Sequence, residues 1–271
     1  WKTSHKTCED TYNVHADMTL VIYIDFVPKA LPEDVAKELE RRRWKLGCLY
    51  TRSRPIPKEG LRRCGRVLVD QGLKAARNGV PEGELWSWYA RAIKAAKAAG
   101  VGEIYAVVPD VYNDMWGTVE RWHKWAHRLE RLRATPVLVL QQPKRVLDRV
   151  KHAAFQRADV VAIPARRIGD VDCARHPLLC AQVVSLAATA AAEAGKRVHA
   201  LGLALEEAKA LGPLLGNVIH SFDTTAYRLA VSKRIRVRKR PGGPGGYMVE
   251  QGLEVEYFAE WLRRLLRARG P

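Results

Sequence analysis

Residues 103–141, EIYAVVPDVYNDMWGTVERWHKWAHRLERLRATPVLVLQ, hold two apolar runs separated by a stretch with helical periodicity. The runs Glu103–Asp110 and Pro136–Gln141 are almost continuously apolar, which is typical of parallel strands buried on both faces. Between them, Gly117–Arg131 places its apolar side chains at the spacing of an amphipathic helix. This stretch therefore predicts a strand, a helix and a second strand parallel to the first.

The same alternation continues through most of the chain. Eight strands with intervening helices favour a closed barrel over an open doubly wound sheet, and no G-x-G-x-x-G follows the first strand. We predict the α/β class, with a single (β/α)8 TIM-type barrel over residues 19–232 and an N-terminal arm over 1–18. The eight predicted strands are Thr19–Asp25, Lys45–Tyr50, Arg66–Asp70, Glu103–Asp110, Pro136–Gln141, Asp159–Pro164, Arg197–Gly202 and Asn217–Asp223.

Helical stretches fill most of the intervals, whereas Thr51–Gly65 is rich in Pro and Arg and is predicted to be a loop. Residues 233–271 are predicted to form a basic strand, a Gly/Pro loop and a C-terminal helix, Val255–Arg269, packed on the barrel. The other predicted helices are Pro32–Arg43, Glu82–Ala99, Gly117–Arg131, Pro143–Ala158, Leu179–Ala194 and Leu205–Leu214.

The charge of the chain is strongly positive: 46 Lys and Arg against 29 Asp and Glu give a net charge of +17. Such an excess favours a polyanionic partner, and nucleic acid is the usual case. The charged surface of a thermophile protein is the alternative, and it explains the number of charges better than their sign. The alternating residues Arg234, Arg236, Arg238 and Arg240 predict a strand that grips nucleic acid with one face.

The five cysteines are too few for a disulfide scaffold. Cys173, His176 and Cys180 could supply three metal ligands, but without a fourth nearby a thiol pair or a disulfide is favoured. We therefore predict neither a metal nor another cofactor. No apolar run reaches 18 residues and no signal peptide is visible, so we expect a cytoplasmic protein without a membrane partner.

Polar residues end several of the predicted strands, where barrels of this type carry their chemistry. They are Asp25, Asp70, Asp110, Gln141, His199 and Asp223. Each Asp alone could be a helix cap or a turn former, and His199 could be a core histidine. Several carboxyl groups at one barrel mouth raise one another's pKa, which favours a functional site.

The order of these residues resembles that of tRNA-guanine transglycosylases and the related 7-deazaguanine DNA transglycosylases. Asp70-Gln71-Gly72 stands where the family has Asp followed by Ser-Gly-Gly or Ser-Gly-Ala. Asp110 and Gln141 follow on the next two strands, as the base-binding Asp and Gln do in the family. His199-Ala200-Leu201-Gly202 is similar to a later glycine turn, and Ser221-Phe222-Asp223-Thr224-Thr225 to the Phe-Asp of the nucleophile.

The resemblance spans roughly residues 45–235 and implies exchange of a nucleobase at C1′ of tRNA or DNA without backbone cleavage. It implies that Asp223 is the nucleophile, that Asp70 carries the proton, and that Asp110, Gln141, Gly202 and His199 bind a purine or 7-deazapurine base. Arg228 resembles an Arg that follows the nucleophile, and with the four tail arginines it is predicted to bind nucleic acid. Two features depart from the family: Gln71 replaces Ser, and no Cys follows Cys180 to form the family's zinc site.

Two other functions stay open. A barrel that keeps the scaffold and has lost turnover would bind nucleic acid without exchanging a base, which Gln71 and the missing zinc site favour. A small-molecule enzyme, such as a sugar-phosphate aldolase or isomerase, would normally carry a glycine-rich phosphate site after the last two strands. Neither His199–Gly202 nor Ser221–Thr225 resembles such a site.

Overall fold

Eight parallel strands close into a barrel in the computed structural model, which describes residues 19–25, 28, 30–72, 75, 79–142, 153–169, 171–173, 175–224 and 253–268. The barrel strands are β1 Val21–Ile24, β2 Lys45–Thr51, β3 Arg66–Asp70, β4 Glu103–Val107, β5 Thr135–Val139, β6 Val160–Pro164, β9 Arg197–Leu201 and β10 Ile219–Thr224. Around the barrel the order is β1-β10-β9-β6-β5-β4-β3-β2, so the first and last barrel strands are neighbours and the predicted fold class is confirmed.

Two further strands, β7 Arg167–Ile168 and β8 Val171–Asp172, pair antiparallel after β6, and the sequence did not predict them. Strands of two residues are too short to show a hydrophobic period. We call β7, β8 and the turn between them the mouth hairpin.

Helices lie between most of the barrel strands. The predicted loop Thr51–Gly65 is in part wrong, because it contains the short helix α2, which starts after Pro57 and buries Leu61. The predicted helix Pro143–Ala158 is described only over its last residues. The helices are α1 Glu33–Arg41, α2 Lys58–Leu61, α3 Glu82–Ala98, α4 Met115–Arg131, α5 Ala153–Arg157, α6 Pro177–Glu193, α7 Leu205–Ala210 and α8 Leu253–Arg267, with a 3-10 turn at Gly212–Leu214.

The strands separate two apolar clusters, one inside the barrel and one between the barrel and the helices. Tyr23, Leu68 and Val137 belong to the inner cluster, whereas their strand neighbours Ile22 and Leu138 belong to the outer one. Because side chains alternate along a strand, the residue two positions after an inner residue also points inward. This alternation brings polar residues near the ends of the strands to the mouth of the barrel.

The C-terminal helix α8 packs on the outside of the barrel. The ring of Trp261 lies 6.1 Å from that of Phe222 in β10, and Arg263 pairs with Asp34 of α1 at 2.7 Å. Residues 225–250 lie outside the described residues, and so do the predicted nucleic-acid-binding residues there. Those residues are Arg228, Arg234, Arg236, Arg238 and Arg240.

Two disulfides tie segments of the barrel together. Cys48 of β2 is bonded to Cys64, which precedes β3, and Cys173 after the mouth hairpin is bonded to Cys180 of α6. The second bond leaves neither sulfur as a thiolate ligand for a metal. No group of three potential metal-ligating His, Cys, Asp or Glu side chains is found among the described residues. Within the same part of the chain, no helix has the length and apolarity to cross a membrane.

Gly47 makes room for the ring of Tyr23, its partner in the β1–β2 register. A Cβ atom at position 47 would lie 2.5 Å from the Tyr23 ring, so Gly47→Ala should lower the free energy of unfolding by about 1–3 kcal/mol. Gly65→Ala is the matched control, because a Cβ atom there meets nothing within 4 Å. Urea unfolding of both variants checks this, and equal stabilities would contradict it.

Candidate active site

A cavity of about 200 Å³ opens where the barrel strands end, and polar residues from five segments line it. Asp70 ends β3, Asp110 and Gln141 follow β4 and β5, Gly202 follows β9, and Asp223 is the penultimate residue of β10. The structure thus brings these five sequence-predicted residues together. Asp25, at the end of β1, is buried 3.7 Å from Arg54 and is not among the lining residues.

Asp223 is held through one of its two carboxylate oxygens. Its Oδ1 accepts the backbone N–H of Gly202 at 2.8 Å and lies 3.2 Å from Nε2 of His199. Gly202 has φ of 72°, a left-handed conformation that favours glycine, and this turn aims its N–H at the carboxylate. No donor in the described part of the chain reaches Oδ2.

His199 lies beneath Asp223, inside the barrel, and does not line the mouth cavity. Its Nδ1 is 2.9 Å from Oγ of Ser221, and its ring meets that of Tyr23 edge-on at 5.8 Å. With its hydrogen on Nε2, His199 donates to Asp223 and accepts from Ser221. The buried histidine therefore fixes the orientation of the carboxylate, whereas the sequence predicted a contact with the base.

Asp110 is held by two glutamine side chains. Gln71 Nε2 donates to Oδ1 at 2.7 Å, and Gln141 Nε2 donates to Oδ2 at 2.6 Å. Gln141 is itself oriented by the backbone N–H of Asn113, 3.1 Å from its Oε1. The buried Oε1 of Gln71 has no hydrogen-bond partner among the described residues. Gln71 therefore acts as a donor to Asp110 at the position where the family has Ser.

Two of the carboxyl groups have raised pKa values. The pKa of Asp70 is raised from 3.8 to about 7, mainly by burial and further by repulsion from Asp110 and Asp223, while hydrogen bonds from the backbone of Gly72 and Gln71 oppose the rise. Burial also raises the pKa of Asp110, against the opposing effect of its hydrogen bonds to Gln71 and Gln141. Near neutral pH the cavity therefore offers a carboxyl group, Asp70, that can both give and take a proton.

The cavity also contains residues that the sequence analysis missed. Arg166 and Arg167 follow β6 and line the same cavity as Asp223. The end of β6 was predicted at Pro164, so a search for basic as well as acidic residues after each strand would have found both arginines. The contact of Gln71 with Asp110 had no signal in the sequence, because it depends on the distance between the ends of two strands.

No protein-family model and no curated protein sequence matches this chain. Among solved structures it is similar to the carboxyl transferase domain of Rhizobium etli pyruvate carboxylase, with a TM-score of 0.49 and 10% identity over 94% of this chain and 48% of that chain. Methylaspartate ammonia lyase of Citrobacter amalonaticus gives a TM-score of 0.45 and 10% identity over 80% of this chain and 56% of the other. The chain thus spans about half the length of these two structures, and likenesses this weak carry no argument about its function.

The raised pKa of Asp70 predicts how stability depends on pH. Because the folded protein binds this proton more tightly than the unfolded chain, the contribution of Asp70 is complete below its unfolded pKa of 3.8 and is lost as pH rises through about 7. Asp70→Asn is neutral at every pH, so it should gain stability over the wild type as pH rises from 5 to 8.

The free energy of unfolding, measured in urea at both pH values, checks this. Asp34→Asn is the control, because Asp34 is exposed and its hydrogen bond to Arg263 lowers its pKa. The difference in stability between this variant and the wild type should therefore not change from pH 5 to 8. A gain for Asp70→Asn that is the same at both pH values would refute the assignment.

Proposed function

We propose that this barrel is a base-exchange enzyme that replaces guanine in a nucleic acid by a 7-deazaguanine-type base through a covalent bond to Asp223. One observation carries the proposal: a single cavity holds Asp70, with a pKa of about 7, and Asp223, whose Oδ1 accepts hydrogen bonds while no donor among the described residues reaches its Oδ2. The sequence resemblance to tRNA-guanine transglycosylases assigns the same two residues to the same reaction. A pentosyltransferase needs these two groups, one to attack the sugar and one to move a proton.

In the first half of the reaction, Oδ2 of Asp223 attacks C1′ of the target nucleotide. The bond from C1′ to the base breaks, its electron pair leaves with the base, and the carboxyl of Asp70 protonates the base. Oδ1 becomes the carbonyl oxygen of the resulting ester and keeps its hydrogen bonds to Gly202 and His199. The donors that orient the carboxylate thus also stabilise it as the leaving group of the second half.

In the second half, the incoming base loses a proton to the carboxylate of Asp70 and attacks C1′. The ester bond breaks, and its electron pair returns to Oδ2 of Asp223. Asp70 ends as the carboxylic acid with which it began, so the cycle closes without another proton source. A pKa of about 7 suits both directions, because neither protonation state of Asp70 is strongly disfavoured.

Asp110 supplies the selection of the base. A carboxylate offers about four acceptor positions, and Gln71 and Gln141 each take one, on different oxygens. The acceptor capacity that the two amides leave on the carboxylate matches two adjacent N–H donors such as N1–H and N2–H of guanine or a 7-deazaguanine. Adenine would place its N1 acceptor against the carboxylate and leave a buried partner unpaired, which costs about 1–3 kcal/mol.

The substrate is a polymer in this proposal because the chain carries a net charge of +17 and the base must leave its stack to enter the cavity. A barrel that only binds nucleic acid is the alternative that the experiments must separate from an enzyme. Covalent trapping separates them because a binder without turnover forms no ester.

Asp223→Asn and Asp70→Asn should fail at different steps. An amide cannot form the ester, so Asp223→Asn should give no covalent adduct with tRNA or DNA on a denaturing gel. Asp70→Asn keeps the nucleophile, so the adduct should still form slowly while incorporation of labelled guanine falls about 10²- to 10⁴-fold.

Binding of the same oligonucleotide serves as the control for both variants and should be retained. An adduct that persists in Asp223→Asn and disappears in Asp70→Asn would reverse the two roles. Tight binding by the wild type without an adduct or exchange, with any polymer, would favour the inactive binder instead.

His199 is a positioning residue in this scheme. His199→Leu removes the donor to Oδ1 and should slow adduct formation roughly 10- to 100-fold, the value of a hydrogen bond to a charged group. His199→Gln can place an N–H near the former Nε2 and should recover much of that rate. Thermal unfolding of both variants is the control, because a merely structural role predicts that the rates follow the stabilities. Equal rates in the two variants would contradict the positioning role.

A further inference from the structure

Arg166 and Arg167 are cations that face an otherwise acidic cavity. Within the part of the cavity lining that the structure describes, Asp70, Asp110 and Asp223 are the acidic groups and these two arginines are the only basic ones. Arg166 is exposed and Arg167 is half-buried. Neither guanidinium makes a hydrogen bond or an ion pair with a described residue, although Arg166 lies near enough to lower the pKa of the buried Glu207.

Arg166 lies beside the turn that holds the nucleophile. A Cβ atom on Gly202 would be 3.4 Å from Cβ of Arg166 and 3.9 Å from its Cδ, so the stem of this arginine runs along the glycine. The N–H of the same glycine is donated to Oδ1 of Asp223. A guanidinium on this stem is therefore within a side chain's length of the atom that attacks C1′.

The segment that carries both arginines is fastened on two sides. On the side of α6, the N–H of Cys173 donates a hydrogen bond to the carbonyl oxygen of Arg166 at 3.3 Å, and Cys173 forms a disulfide with Cys180. On the side of β4, the hydroxyl of Tyr112 donates a hydrogen bond to the carbonyl oxygen of Gly169, in the mouth hairpin, at 3.2 Å. These contacts fix the backbone below the arginines, so less ordering is needed when a ligand binds.

The acidic groups at the mouth make two nearby cations favourable for binding a nucleotide. A nucleotide with its C1′ above Asp223 brings phosphates on its 5′ and 3′ sides toward the acidic groups of the mouth, and the ionised ones repel them. Arginine binds phosphate through two parallel N–H bonds and keeps its charge at all working pH values. Arg166 and Arg167, whose guanidiniums pair with no described residue, line the same cavity as Asp223 and can compensate for this repulsion.

Resting on the proposed base-exchange function, we propose that Arg166 and Arg167 form a phosphate clamp that binds the backbone phosphates flanking the target nucleotide. The ligand is the phosphodiester backbone itself and not the base, whose edge is matched by Asp110. Because Arg166 and Arg167 line the mouth cavity, the clamp fixes the target nucleotide itself.

The first test measures binding of a labelled oligonucleotide over a range of salt concentrations. Each lost phosphate contact lowers the slope of log K against log salt by about 0.7 for a single strand, so Arg166→Ala/Arg167→Ala should lower it by about 1.4. Arg175→Ala controls for the loss of charge, because Arg175 is exposed nearby but does not line the cavity. Arg166→Lys/Arg167→Lys keeps both charges and should keep most of the slope.

The second test neutralises the ligand instead of the protein. Methylphosphonates on the two sides of the target guanosine should weaken binding to the wild type and have little further effect on the double Ala variant. A full effect on that variant, or an unchanged salt slope, would refute the clamp. Single-stranded DNA and an RNA stem-loop are tested in parallel. The clamp fits the polymer for which the effect of the methylphosphonates depends more strongly on the two arginines.

Binding of free guanine separates the clamp from the base-exchange proposal. The double Ala variant should bind guanine as the wild type does, and a loss of guanine binding would assign the arginines to the base and overturn the clamp. If no base is exchanged in any polymer, but the methylphosphonate effect depends on the two arginines, the clamp is correct and the base-exchange function is wrong. If exchange is found without this coupling, the function holds and the clamp is wrong.

Discussion

A closed barrel gives each strand only one inward-facing side chain for every two residues, and this constraint organises the whole site. The last inward positions of β3 and β10 are Asp70 and Asp223. Both side chains line the same narrow mouth and therefore lie close together. Repulsion between them contributes, after burial, to the raised pKa of Asp70. The raised pKa of Asp70 is thus a consequence of barrel closure as much as of any single contact.

Hydrogen bonds then give similar carboxyl groups different tasks. Asp223 has donors on one oxygen, Asp110 has a glutamine amide on each oxygen, and Asp70 is close to two other carboxyl groups. In the proposed reaction these environments correspond to a nucleophile, a reader of the base and an acid–base group. Pairs of titratable groups whose surroundings separate their pKa values commonly divide acid and base roles in this way. Arg166, just before the mouth hairpin, and Arg167, its first residue, add positive charge to a cavity whose described lining otherwise carries three carboxyl groups.

Much of this arrangement could be predicted from the sequence, because strands buried on both faces leave continuous apolar runs. All eight barrel strands were found in this way, and the residues at their ends followed from the fold class. What could not be predicted depends on distances across the barrel or on very short elements. Gln71 is a departure from the family's Ser in the sequence, and in the structure it donates to Asp110 from a neighbouring strand end. His199 could be either a base-binding residue or a core histidine from its sequence, and its register sets it one inward position below the mouth.

The space left by Gly47 has a consequence for how this protein can evolve. Gly47 admits the ring of Tyr23, the ring supports the edge of His199, and His199 orients Asp223. A constraint on the orientation of Asp223 therefore also constrains Gly47, although Gly47 has no reactive side chain. A lineage that gains a side chain at position 47 must shrink position 23 in compensation, so these two positions are expected to change together as the barrel diverges.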